Sequence, residues 1–253
     1  MAERVIIREY SFTDVEELTE FWHETFFDDK NLIKQFFELL PNLGRGYVAV
    51  AGNRLLGMVF VLNFMSGGSK YGYIYALAVK AQYRGKGIGG LLMSHCAKNH
   101  PRLCTLPADA SLYTWYEKKL GMKYRTRCRY DKFLPEDSEG VIKVLSHTEY
   151  AAKRSEFSLE TKYPMEWYEY QRELCRTYGG GMFAYGRSIA CGYVENGVLK
   201  ILECLGSTDF LPMLCARICA DYAEMRRLSF DGSDFICSNM PISETFNLNL
   251  ALD

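Results

Sequence analysis

The chain has 253 residues, enough for one large or two ordinary domains, and 48% of them are hydrophobic, so a sizeable core is available. Lys and Arg number 30 against 31 Asp and Glu, a formal net charge of -1, which excludes a disordered polyelectrolyte and an electrostatic grip on nucleic acid. Charge within the opening MAERVIIREY, and no apolar run near the roughly 20 residues of a membrane span, argue against a signal peptide or anchor and for a cytoplasmic protein with no membrane partner.

In chain order, Val5 to Tyr10 alternates like a strand, and Thr13 with Glu16 has the pattern of a capping box opening a helix through Phe26. A second helix is expected from Asn31 to Leu40, stopped by Pro41. The period then changes from helical to alternating. Tyr47 to Ala51, Leu55 to Phe64 and Lys70 to Val79 read as a meander turning at Gly52-Asn53 and Gly67-Gly68. A glycine-rich turn follows, then a helix through Ile88, Leu91, Leu92 and Cys96 that should stop near Pro101. Leu103 to Leu106 reads as a strand, and Asp109 or Ser111 can cap a helix through Leu120 that ends at Gly121. Lys123 to Phe133 returns as extended chain.

The polar, breaker-rich segment 135–140 is expected to be a linker between a domain at 1–134 and another at 141–253. Beyond it the order recurs: a helix from Trp167 to Thr177, a meander from Met182 to Leu205 with a hairpin at Asn196-Gly197, and a helix from about Phe210 to Leu228. Ala49 to Val59 (AVAGNRLLGMV) resembles Ala184 to Val194 (AYGRSIACGYV), which suggests a degenerate internal repeat.

The chemistry concentrates in Arg84-Gly85-Lys86-Gly87-Ile88-Gly89-Gly90, between a strand and a helix. Glycines let backbone N–H groups converge, and the helix N-terminus adds partial positive charge, which suits a phosphate or pyrophosphate. Two patterns share these residues. Gly85, Gly87 and Gly90 fit the G-x-G-x-x-G of dinucleotide folds, and Asp109 stands about where an acidic ribose ligand is sought, so an NAD-dependent oxidoreductase is one reading. Against it, the turn follows a helix pair and hairpins rather than the first strand of a parallel sheet.

The second pattern is [QR]-x-x-G-x-[GA], met by Arg84, Gly87 and Gly89. With Ala76-Leu77-Ala78-Val79 before it and Trp115-Tyr116-Glu117-Lys118-Lys119-Leu120-Gly121-Met122 after it, this resembles the GNAT superfamily of acyl-CoA-dependent N-acyltransferases, over roughly Val5 to Phe133. The resemblance implies an α/β (α+β) fold, a mixed, mostly antiparallel central sheet flanked by helices, present as two tandem GNAT-like domains. It implies acetyl-CoA as co-substrate, with Arg84, Gly85, Lys86, Gly87, Ile88, Gly89 and Gly90 at the pyrophosphate and Leu77, Ala78 and Val79 along the pantetheine. It further implies transfer of an acetyl group to a primary amine of a small molecule or peptide, or, failing catalysis, a CoA-binding regulatory module.

In that family a tail-helix tyrosine protonates the departing thiolate, which points to Tyr116, with Tyr113 in reserve. Tyr116 lies one residue further from Gly121 than the family pattern has it. The glutamate that many members carry two residues before the Leu77 position is Tyr75 here, so no general base is named. Tyr71, Tyr73 and Tyr75 share a strand face and either line the substrate cleft or are half-buried strand residues. Ser94-His95-Cys96 does not make a nucleophilic pair, because helix neighbours point about 100 degrees apart; Cys96 is expected in the core and His95 at the surface. Arg125, Arg127 and Arg129 alternate on a solvated strand face. Nine cysteines without a CxxC pair suit free thiols in a reducing compartment, and no histidine or cysteine spacing suggests a metal site. The second half lacks the glycine turn and would shape the cleft, extend the sheet or form the surface of a homo-oligomer.

Overall fold

The computed structural model describes residues 3–229 and 231–242. They form two compact units, one built from residues 3–125 with 235–242, the other from the stretch 126–234.

The sheet of the first unit runs in the order β1 (Ile6–Glu9), β2 (Gly44–Ala51), β3 (Arg54–Ser66), β4 (Ser69–Val79), β5 (Leu103–Thr105) and β12 (Ser233–Ser238). All neighbours are antiparallel except β4 and β5. One face of the sheet carries α1 (Val15–Phe26) and α2 (Lys30–Leu43), and the aromatic rings of Trp22, Phe36, Phe37, Phe60 and Tyr75 meet there at tilted and edge-on angles. The other face carries α3 (Ile88–Asn99) and α4 (Ala110–Leu120), which cover Val59, Val61 and Ile74 with Leu92, Met93, Cys96, Tyr113 and Tyr116.

Local chemistry explains most boundaries. Asp29 caps α2 by accepting from the Asn31 and Leu32 amides, Asp109 caps α4 through the Ser111 amide, and Gly121 ends α4 in the left-handed conformation at φ 64°. The first capping box forms two residues earlier than Thr13 and Glu16 suggested: Ser11 and Asp14 make it at a 3₁₀ turn that leads into α1. Pro41 does not stop α2, which continues to Leu43; in the last turn the proline removes one hydrogen bond, while the Gly44 amide still reaches the Leu40 carbonyl.

The second unit has the sheet order β6 (Tyr124–Phe133), β11 (Tyr222–Leu228), β10 (Val198–Leu205), β9 (Ser188–Glu195), β8 (Gly181–Tyr185) and β7 (Lys143–Val144). The sequence from α5 (His147–Ser155) and α6 (Met165–Thr177) through β8, β9, β10, α7 (Leu211–Ile218) and β11 repeats the order α1, α2, β2, β3, β4, α3, β5. The second unit thus repeats the element order of the first.

Three expectations change here. The helix expected from Phe210 to Leu228 stops at Ile218, where Cys219 turns left-handed (φ 58°), and Tyr222 to Leu228 becomes a strand paired parallel to β10 and antiparallel to β6. Strand β6, expected to complete the first half, has its ladder with β11. The first unit is instead completed by β12, which pairs Cys237 with Thr105 and Ser238 with Cys104. Helix α5 was not anticipated, although Ser146 and Glu149 form a readable capping box at its start.

Candidate active site

The site begins with a fault in β4. Met58 pairs with Ala78 and Phe60 with Tyr75, so Val59 alone faces both Ala76 and Leu77. This bulge places Ala76 at φ +47°, a conformation that costs a non-glycine residue and recurs at functional positions. It also reverses the alternation of the strand. Tyr73 and Tyr75 point to the α1 and α2 face, yet Leu77 and Val79 pack against the α3 and α4 cluster with Ile74. Gly57 makes the fault possible, since a Cβ there would lie 2.7 Å from the Ala78 carbonyl.

On its other edge β4 pairs with β5 only at Gly72 with Leu103 and Tyr73 with Cys104. Strand β5 ends at Thr105, and β4 continues alone to Val79. The two parallel strands therefore fork, and the main chain of Ala76 to Val79 is left without a strand partner on that side. A linear ligand bearing amide groups could pair there as a further strand would. Thr105 stands at the vertex of the fork, its hydroxyl donating to the Ile74 carbonyl at 3.0 Å.

At the open end the chain turns through a 3₁₀ segment, Ala81–Tyr83, into the glycine loop. Gly85 (φ +76°) and Gly87 (φ +80°) take the left-handed conformation, and a Cβ on either would meet nothing within 4 Å, so the space in front of them is open. Gly87 begins α3 with no side-chain cap. The first-turn amides of this 12-residue helix have no acceptor within the helix, which makes an anion cradle of the turn.

The residues of the loop divide the work. The Arg84 Nε donates to the Val79 carbonyl at 2.9 Å and ties the loop to the end of β4, while the Lys86 ammonium lies 5.4 Å from the Tyr83 ring centroid. Ile88 is buried in the core and anchors the helix start. Gly89 and Gly90 let α4 approach: a Cβ on Gly89 would lie 3.6 Å from Trp115, and one on Gly90 3.8 Å from Lys119 Nζ. Lys119 thus brings a cation to the first turn of α3. The sequence reading missed it, because only the packing of α3 on α4 puts it there.

Tyr116 is buried in the α3 and α4 cluster. Its hydroxyl is in hydrogen-bonding relation to Thr105 and lies near Cys237, and burial, followed by the neighbouring thiol, raises its pKa well above the ordinary tyrosine value. The hydroxyl therefore reaches the vertex of the fork from beneath and keeps its proton at neutral pH. Tyr113 is committed elsewhere, donating to the Phe235 carbonyl at 2.6 Å with its ring under the Arg125 guanidinium.

Tyr73 and Tyr75 do not line an open surface. Both are buried, Tyr75 against Trp22 and Phe36 and Tyr73 stacked on Tyr75 at 6.4 Å. Cys96 lies in the core, where burial pushes its thiol up to about 12, and His95 stacks edge-on against Tyr47. The arginine row is neutralised: Arg125 pairs with Glu117, Arg127 with Asp234 and Arg129 with Asp131.

The corresponding turn of the second unit is closed. A Cβ on Gly206 would lie 2.6 Å from Ser188 Oγ, which already accepts from the Ser207 amide at 2.9 Å. All nine cysteines are free, no group of three or more metal-ligating side chains gathers among the described residues, and no described helix is long and apolar enough to cross a membrane.

Residues 9–122 match the model of the acetyltransferase (GNAT) family. No curated protein matches the chain. Among solved structures, a candidate acetyltransferase from Pyrococcus horikoshii is 14% identical with TM-score 0.66, over 97% of this chain and 92% of that one. A GCN5-related N-acetyltransferase from Kribbella flavida is 12% identical with TM-score 0.64, over 94% and 71%. A tandem GNAT protein from the clavulanic acid biosynthesis pathway is also 12% identical, with TM-score 0.60 over 95% of this chain and all of its own length, 100%.

Proposed function

We propose that this chain, whose residues 9–122 are a GNAT-family acetyltransferase domain, transfers an acetyl group from acetyl-CoA to a primary amine on a small molecule or peptide. The observation that carries the reading is the fork: β4 leaves β5 after Tyr73, bulges at Ala76, and runs directly into an open glycine cradle. That arrangement suits a ligand with a peptide-like arm ending in a pyrophosphate, which is the make-up of coenzyme A. In this reading the main chain of Leu77, Ala78 and Val79 pairs with the pantetheine arm, and the amides from Gly85 to Gly90 hold the pyrophosphate, with Lys119 adding charge. A dinucleotide has no amide-bearing arm to fill the fork.

The amine attacks the thioester carbonyl directly. The C–N bond forms, the C–S bond breaks, and the thiolate is met by a hydroxyl donor at the vertex, which we assign to Tyr116. With a thiol near pKa 8.5 and a tyrosine above about 10, full transfer from the phenol is uphill. The proton lost by the attacking nitrogen restores the phenol, so the balance is amine plus thioester to amide plus thiol. Water relays that proton from the nitrogen to the phenol. The free thiols support a cytoplasmic location.

The test is acetyl-CoA binding by calorimetry with wild type and Gly87→Val, followed by thiol release with a panel of amines. Binding lost in the variant and turnover with at least one amine support the proposal. Binding of NAD instead of acetyl-CoA overturns it. Acetyl-CoA binding with no turnover on any amine replaces it with a CoA-binding regulatory module.

A further inference from the structure

At the other end of β4, about 30 Å from the glycine turn at roughly 3.3 Å per residue over Lys70 to Val79, the first unit has a cavity. Its volume is about 300 Å³, and Arg45, Asn63, Lys70, Tyr71, His100 and Arg102 lie in its wall with no carboxylate among the lining residues. Three permanently charged side chains thus border one small space. Among the described residues Lys70 and Arg102 make no ion pair, and Arg45 reaches only Glu9, at 4.0 Å. His100 has its pKa held below the ordinary imidazole value first by burial and then by the nearby Lys70, Arg45 and His95.

A helix C-terminus by itself attracts cations, and α3 ends here at Asn99. That accounts for one basic residue near the last turn. It does not account for the cations converging from the start of β2, the start of β4 and the segment before β5, nor for Asn63. Asn63 lies in the cavity wall, and its Oδ1 is buried without a hydrogen-bond partner, which costs stability in this orientation of the amide. Rotation of this amide exchanges its acceptor for an NH2 donor. A ligand with several oxygens and negative charge meets both needs, offering acceptors to the three cations and an oxygen or a hydroxyl to the amide.

We infer that this cavity is a binding site for a small oxyanion, a phosphate or carboxylate group, held by Arg45, Lys70 and Arg102 with Asn63 in its wall. The site is independent of the acyl-transfer reading, since none of these residues belongs to the fork or the glycine turn. An anion here would neutralise the field on His100 and couple the α2–β2 and α3–β5 connections.

The experiment uses the four histidines of the full chain as reporters. Imidazole proton resonances are followed while sodium phosphate is added at fixed pH, against sodium chloride at matched ionic strength. His100 is expected to shift and saturate at millimolar phosphate while His23 and His147 stay still, and Lys70→Ala/Arg102→Ala should weaken the response at least tenfold. Lys70 is exposed, so Lys70→Glu serves as the variant that keeps the fold and should abolish saturation. The inference is overturned if chloride moves His100 as phosphate does, if all four histidines shift alike, or if Lys70→Glu responds like wild type.

Discussion

Replacing Arg154 with Met should unfold the second unit more readily than any surface change, and the structure lets the loss be estimated. Arg154 of α5 is 4% exposed and Glu203 of β10 is 0% exposed. The guanidinium bonds Glu203 through Nε at 3.0 Å and through its terminal nitrogen at 3.1 Å, donates to the Thr161 carbonyl at 2.8 Å, and lies 5.1 Å from the Tyr163 ring centroid. Glu203 otherwise accepts only from the Tyr150 hydroxyl, at 3.0 Å, among the described contacts. Without Arg154 a buried carboxylate loses its paired cation and the Thr161 carbonyl loses this donor. Breaking such a pair costs about 3–5 kcal/mol, whereas replacing both partners by apolar groups of similar volume is about neutral. In a chain of this size each kcal/mol is about 2–4 °C of melting temperature. Thermal unfolding and urea titration followed by tryptophan fluorescence should therefore show a drop of about 6–20 °C for Arg154→Met, and most of it restored in Arg154→Met/Glu203→Leu. A single variant within about 1 kcal/mol of wild type, or a double variant worse than the single, refutes the reasoning that charge burial rather than packing dominates here.

Tyr116→Phe should lower kcat by about 10²-fold or more with little change in KM for acetyl-CoA, as steady-state thiol release would show. The raised pKa of Tyr116 means that any alkaline fall in rate lies above the ordinary tyrosine value, because its folded pKa exceeds that value and the proton is held until then. Gly87→Ala should cost about 1–2 kcal/mol of stability from backbone strain alone, since its Cβ meets no atom, while weakening acetyl-CoA binding far more; calorimetry beside a urea titration separates the two. Lys119→Ala should weaken acetyl-CoA about 3- to 30-fold without changing the melting point of the free protein. The Asp14 carboxyl is held down to about 2 by Arg8 and Ser11, below its unfolded value, so it stabilises above that unfolded value and the contribution is lost as pH falls through about 2; Asp14→Asn should flatten stability over that acid window in a pH series.

Much of the first unit was written locally. The meander at residues 44–79, the loop from Arg84 to Gly90, the cap at Asp109 and the stop at Gly121 each depend on neighbours within a few residues, and turn chemistry and helix capping act at that range. The anion cradle is of this kind, because left-handed glycines and a helix N-terminus are both local properties. The repeat was legible as well, through the matching hairpins around Gly57 and Gly192.

What the tertiary structure alone decided depends on pairing between distant segments. The bulge at Ala76 exists because β3 and β4 keep register on both sides of an extra residue, and nothing in Tyr75-Ala76-Leu77 announces it; of the two readings open for Tyr73 and Tyr75, the packing of α1 and α2 on this face gives buried strand residues. Lys119 reaches Gly90 only when α4 packs on α3. The stretch Tyr222 to Leu228 carries apolar residues at spacings compatible with a helix, but β10 and β6 offer it ladder hydrogen bonds on both edges. Strand β12 joins β5 across more than a hundred residues of chain, and Arg154 and Glu203, 49 positions apart, each read alone as ordinary surface charges. Local sequence sets the turns and caps; burial and hydrogen-bond pairing between remote segments set which edge opens and which charge goes inside.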